Sequence, residues 1–89
     1  MWTRVDHYEQ WICIHKKEGA WNANTGNGYH GGLQMDWSFM RGYGRDMLAK
    51  YGGRGAEAWT PREQMVVAER AYDSGRGFGP WPNTRRGCG

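Results

Sequence analysis

Glu18 is the residue of this 89-residue chain whose position best suits chemistry. It continues a helical stripe, three residues after His15, four after Ile14 and seven after Trp11, so its carboxylate leaves the helix on the apolar side. A carboxyl group placed there is partly desolvated. With Trp21 close behind, apolar rings favour the protonated form, which is what a general acid near neutral pH requires. The alternative is a carboxylate at a helix end that turns out to water.

Other candidate chemistries are weaker. Gly26-Asn27-Gly28-Tyr29-His30-Gly31 matches the dinucleotide fingerprint literally, yet that fingerprint needs a preceding strand, a following helix and a larger sheet. Here a helix precedes it, so these glycines are read as sharp turns or as room for a bulky ligand. Cys13, His15, His7, His30 and Cys88 could ligate a metal, but Cys13 and His15 diverge by about 200° on a helix. Without a CxxC or HxxxH spacing no metal site is expected, nor any cofactor. Ser38 and Ser74 lie in no nucleophile elbow.

The elements that must position Glu18 follow from periodicity. Val5 to Lys17 carries Tyr8, Trp11, Ile12 and His15 at helical spacing, and Gly19 stops that helix. Trp21 to Gln34 is dense in Asn and Gly and predicts a two-stranded hairpin turning near Asn27 and Gly28. Asp36 caps a helix from Trp37, with Trp37, Met40, Met47, Leu48 and Tyr51 inward; Gly42 and Gly44 can split it in two. Gly52 to Ala58 reads as a surface loop. Thr60-Pro61-Arg62-Glu63 is a capping box with Pro at the first helical position, and Gly75 closes the helix that follows. The tail has no period and is expected to wrap over the body, anchored by Phe78, Trp81 and Cys88. The expected fold class is α+β, mainly helical with one short β-hairpin, in a single domain over residues 1–89.

Composition limits how such a domain can hold together. Six Trp, five Tyr and two Phe stand against only seven Leu, Ile and Val, so aromatic rings must fill the core. A chain of this length is marginal without a staple. A bridge between Cys13 and Cys88 would close most of the chain and contribute about 4 to 5 kcal/mol on the chain-entropy model; two free buried thiols are the alternative. No stretch approaches the ~18 apolar residues of a membrane span. Arg4, Asp6, His7, Glu9 and Gln10 interrupt any signal peptide behind Met1, so export would need a removed leader or another route.

From Trp11 to Phe39 the chain resembles the lysozyme-like catalytic domain of actinobacterial transglycosylases, the group that includes the resuscitation-promoting factors. Glu18-Gly19, Trp21, Asn24 to Tyr29 and Gly31 to Gln34 carry the resemblance, supported by Thr60 to Gln64, Val67 to Arg70 and Gly79 to Pro82. It implies that Glu18 is the catalytic acid and base, that Thr25, Tyr29 and Gln34 line the cleft, and that Trp21 packs beside the acid. The implied substrate is the glycan strand of bacterial peptidoglycan, cut between N-acetylmuramic acid and N-acetylglucosamine. In the resuscitation-promoting factors a cysteine immediately precedes the glutamate, whereas Cys13 here is five residues earlier.

Asn22 through Met35 holds no Asp or Glu, so the hairpin offers no second carboxylate of the kind glycoside hydrolysis uses. A single-carboxyl mechanism giving a 1,6-anhydro sugar is therefore expected, with Tyr29, Trp37 and Trp81 as rings for sugar faces. Trp11, Trp59, Tyr72 and Phe78 are assigned to the core. The main rival is a non-catalytic peptidoglycan-binding or glycan-binding module on the same fold. A nucleic-acid partner is disfavoured, because the net charge is only +3 and the basic residues are scattered among acids. A monomer in the extracellular space or cell wall is expected.

Overall fold

The computed structural model describes residues 4–89. Helix α1 covers Tyr8–Glu18, α2 Trp37–Tyr43, α3 Arg45–Lys50 and α4 Pro61–Ala71; a 3-10 turn spans Ala56–Ala58, and α4 runs on into a π turn, Tyr72–Arg76. Local signals account for most boundaries. Asp36 accepts a hydrogen bond from the Phe39 amide and starts α2, while α2 and α3 part at Gly44. A side chain at Gly44 would strike the Trp59 ring at 2.8 Å, so the break coincides with the closest approach of that indole. The capping box forms in full: Glu63 N donates to Thr60 Oγ1, and Thr60 N donates to Glu63 Oε1.

Helix α4 is the centre of the molecule, buried from Glu63 through Ala68 and again at Glu69 and Ala71. Three of those buried side chains are polar, and each is satisfied, as burial of polar groups demands. Glu69 accepts from His7 N, His7 Nδ1 and the Trp11 indole at 3.1, 2.6 and 2.9 Å, which fastens the start of α1 to α4. Glu63 accepts from Lys50 and Tyr51 at the end of α3. Gln64 binds four backbone groups: its Oε1 accepts from Gly32 N, and its Nε2 donates to the carbonyls of Trp21, Ala56 and Trp59.

Aromatic rings replace the missing aliphatics around this helix. Trp11 meets Tyr72, Phe78 and Trp81 edge to face with centroids 5.0 to 6.4 Å apart, a favourable geometry for ring quadrupoles. Leu33, Met35, Met40, Met47 and Met65 complete the interior. Cys13 and Cys88 are disulfide-bonded with Cα atoms 5.6 Å apart, so the tail lies back on α1 as expected.

Three expectations need correction. Among the described residues the two-stranded hairpin reduces to one antiparallel bridge, His30 to Met35, closed by the Gly31–Gln34 turn rather than around Asn27 and Gly28. Asn27 instead makes a local turn by accepting from Tyr29 N. The pairing moves because Gln64 grips Gly32, and a side chain at Gly31 would sit 2.4 Å from Gln64 Oε1. Trp37, expected inward, is 38% exposed, and Phe39 takes the inner face. The Gly52 to Ala58 segment is not wholly surface, since Ala56 is fully buried under Met40.

Two predictions follow from the buried polar groups. Burial opposes ionisation of Glu63, but hydrogen bonds from Lys50, Tyr51 and Thr60 outweigh it and hold the pKa down to about 2, from an ordinary 4.5. A depressed folded-state pKa contributes stability above the unfolded value and loses it as the group protonates. Wild-type thermal midpoints should therefore fall more steeply than those of Glu63→Gln between about pH 5 and pH 2. Parallel curves for the two proteins would contradict this linkage. Gln64→Leu strands the buried Gly32 N–H and the Trp21 and Trp59 carbonyls, while Ala56 O keeps the Trp59 amide, so urea unfolding should show a loss of about 3 kcal/mol.

Candidate functional site

Glu18 is the last residue of α1, partly buried, with Gly19 as the helix stop. Its Oε2 accepts a hydrogen bond from Thr84 Oγ1 at 2.6 Å, a contact across 66 residues of sequence. The helix ends there because Gly19 N closes on His15 O and the glycine then takes an extended conformation. His15 itself is satisfied: its Nδ1 donates to Gly32 O at 3.2 Å, and its ring stacks on Trp21 at 3.7 Å. Gly32 has no room for a side chain, since one would meet the Trp21 ring at 2.4 Å and His15 Nδ1 at 2.6 Å. Trp21 thus packs on His15, about one turn before Glu18.

A cleft of about 550 Å³ is lined by Tyr29, Gln34, Asp36, Phe39, Tyr43, Arg76 and Trp81 among others. Glu18 is not among its lining residues. The connection between them is Gly19, where a Cβ would stand 3.5 Å from Gln34 Nε2. Gln34 is held in the left-handed region, φ 51°, with its amide donating to Gly31 O. That uncommon conformation goes with a side chain that lines the cleft and packs next to Gly19.

The other expected site residues divide. Tyr29 is half exposed on the cleft wall. Thr25 is exposed on the preceding loop and does not line this cleft. Trp37 leans on His30 with centroids 4.7 Å apart, also outside the lining. Trp81 reaches the cleft but is only 4% exposed, and its indole donates to Leu33 O, so it forms the floor rather than a free platform.

Charge in the cleft comes from Asp36 and Arg76. Asp36 is committed to capping α2, its Oδ1 accepting from Phe39 N at 2.7 Å. Arg76 stands over the Phe39 and Tyr43 rings at 5.8 and 6.0 Å. Ser74 first, and Arg76 second, hold the Tyr43 hydroxyl below the ordinary phenol pKa by hydrogen bonding to it. Neither Thr84 nor Arg76 was expected at the site: both lie in an aperiodic segment where spacing carries no directional information.

The groups considered as metal ligands have other partners. Cys13 and Cys88 are bonded to each other, His7 pairs with Glu69, and His30 donates to Glu57 at 2.7 Å. No helix among the described residues is long and apolar enough to cross a membrane.

A model of the transglycosylase-like domain matches residues 6–84. Resuscitation-promoting factor Rpf1 of Corynebacterium glutamicum is 47% identical over 64 residues, covering 72% of this chain and 31% of that protein. Resuscitation-promoting factor RpfE of Mycobacterium tuberculosis is 42% identical over 81 residues, 88% of this chain and 42% of the relative. RpfA of the same species is 38% identical over 69 residues, 78% of this chain and 16% of the relative. The chain therefore spans less than half the length of each of these proteins. With the match running through α1, the Gly31–Gln34 turn and α4, the chain belongs to the transglycosylase-like domain family, as a lysozyme-like domain related to the resuscitation-promoting factors.

Proposed function

We propose that this chain is a peptidoglycan-cleaving glycosidase, a lytic transglycosylase acting on the linkage between N-acetylmuramic acid and N-acetylglucosamine. The observation that supports the reading is Glu18 at the end of α1, partly buried and followed by Gly19, which packs on the cleft residue Gln34, in a chain of this family. Glu18 is the general acid and then the general base. Tyr29 and Gln34 bind the strand in the cleft, and Thr25, Trp21 and Trp37 contribute from its margins. The domain, residues 1–89, works as one unit outside the cell or in the wall, as a monomer.

The chemistry needs one carboxyl group used twice. Protonated Glu18 gives its proton to the glycosidic oxygen, and the C–O bond to the muramic acid anomeric carbon breaks. The resulting carboxylate takes the proton of the muramic acid 6-hydroxyl, whose oxygen bonds to that same carbon. A 1,6-anhydro sugar leaves, no water is consumed, and Glu18 is protonated again. Two carboxylates beyond α1 are engaged elsewhere, which favours this route over a two-carboxylate one: Asp36 caps a helix, and Glu57 pairs with His30.

A non-catalytic glycan-binding module is the second reading, favoured by the absence of Glu18 from the cleft lining itself. Glu18→Gln separates the two. As an enzyme, the variant should release soluble fragments from purified peptidoglycan at least about 100-fold more slowly than wild type; unchanged clearing would leave only the binding module. Mass spectrometry of wild-type digests in ¹⁸O-labelled water should show unlabelled anhydro ends. Labelled reducing ends would make the protein a hydrolase.

A further inference from the structure

We propose that Thr84 is a positioning residue for Glu18, and that the Cys13–Cys88 bridge acts on turnover by holding Thr84 in place. This rests on the reading of Glu18 as the acid. Among the described residues Thr84 is the hydrogen-bond donor that reaches the Glu18 carboxylate, at 2.6 Å. It selects one oxygen. Oε2 accepts from the Thr84 hydroxyl whether the carboxyl group is ionised or protonated, which leaves Oε1 as the oxygen that carries the travelling proton.

The tail that brings Thr84 there has no regular helix or strand to fix it. Instead it is tied at separate points. Trp81 is buried and its indole donates to Leu33 O at 2.7 Å, three residues before Thr84. Lys17 donates to Arg86 O, two residues after it. Cys88, four residues after it, is bonded to Cys13 on α1, five residues before Glu18. The covalent bond and the hydrogen bond therefore bracket the same short stretch of α1 against the same short stretch of tail. A glutamate side chain at a helix end has several rotamers, and a fixed donor removes most of that freedom before substrate arrives.

The test is a kinetic cycle on soluble glycan strands, run at a temperature where thermal melts show every variant folded. Thr84→Val keeps the shape and removes the donor; kcat should fall roughly 10- to 100-fold with KM unchanged within a factor of two. Thr84→Ser, which restores the donor, should recover most of the lost turnover. The double variant Cys13→Ser/Cys88→Ser should lose kcat to a similar degree, and adding Thr84→Val to it should cost little more, because both act on one contact. Wild-type kcat in Thr84→Val overturns the proposal, and so do losses that multiply in the combined variant. Glu18→Gln, assayed beside them, separates the failures: if it is inactive while Thr84→Val is normal, only the positioning role falls.

Discussion

The buried carboxamide of Gln64 is the contact on which the arrangement of the other segments depends. Glycine-rich loops with no sheet have little of their own to fix them, and this chain has few aliphatic residues to press them into place. One fully buried amide reaches four backbone groups in three separate stretches: Trp21, Gly32, and the Ala56 to Trp59 turn. Such a group is costly unless its bonding is complete, so the loops can depart from this geometry only by stranding it. The absence of a side chain at Gly31 is part of the same contact, since a Cβ there would overlap the amide oxygen. The cleft wall, with Gln34 and Tyr29, is the outer surface of loops held from within by α4.

Aromatic residues are divided by whether their polar tips find a partner. The Trp11, Trp59 and Trp81 indoles donate to Glu69, Arg54 O and Leu33 O, and all three rings are nearly inaccessible. Tyr29 and Trp37 keep large exposed faces. Trp81 serves on both sides: its edge packs on Trp11 and Phe39 while part of it closes the bottom of the cleft. Core and site therefore share a residue, and a change in packing around Trp11 is transmitted to the cleft floor without any moving part.

What could be read from the sequence was what is decided locally. The Thr60 capping box, the Asp36 cap and the break near Gly44 depend on residues a few positions apart, and each forms where its pattern stands. The side of α1 from which Glu18 leaves was legible because a helix has a fixed angular step, so it follows from Trp11 and His15. The pairing turn was not legible, because Asn27-Gly28 and Gly31–Gln34 both have turn chemistry. Gln64, more than thirty residues away, decides between them. Trp37 was misplaced for a related reason: Trp37 and Phe39 are both large apolar residues in the first turn of α2, and the choice of inner ring is made by Trp81 and Tyr43.

The disulfide joins these themes, because it bears on the fold and on the Glu18 side chain differently. For the fold it closes a loop of 75 residues, worth about 4 to 5 kcal/mol on the chain-entropy model, comparable to the whole stability of a small domain. For Glu18 the magnitude is beside the point. An unanchored tail bound by one hydroxyl to one carboxylate would dissociate readily, since a single hydrogen bond contributes only about 1 kcal/mol net. Held at Trp81 and Cys88, the same hydroxyl meets the carboxylate at a high effective concentration and most of the ordering entropy has already been lost on folding. A crosslink five residues up the helix from Glu18 can thus stabilise the domain as a whole and, through the three residues between Thr84 and Cys88, restrain the direction of a single side chain.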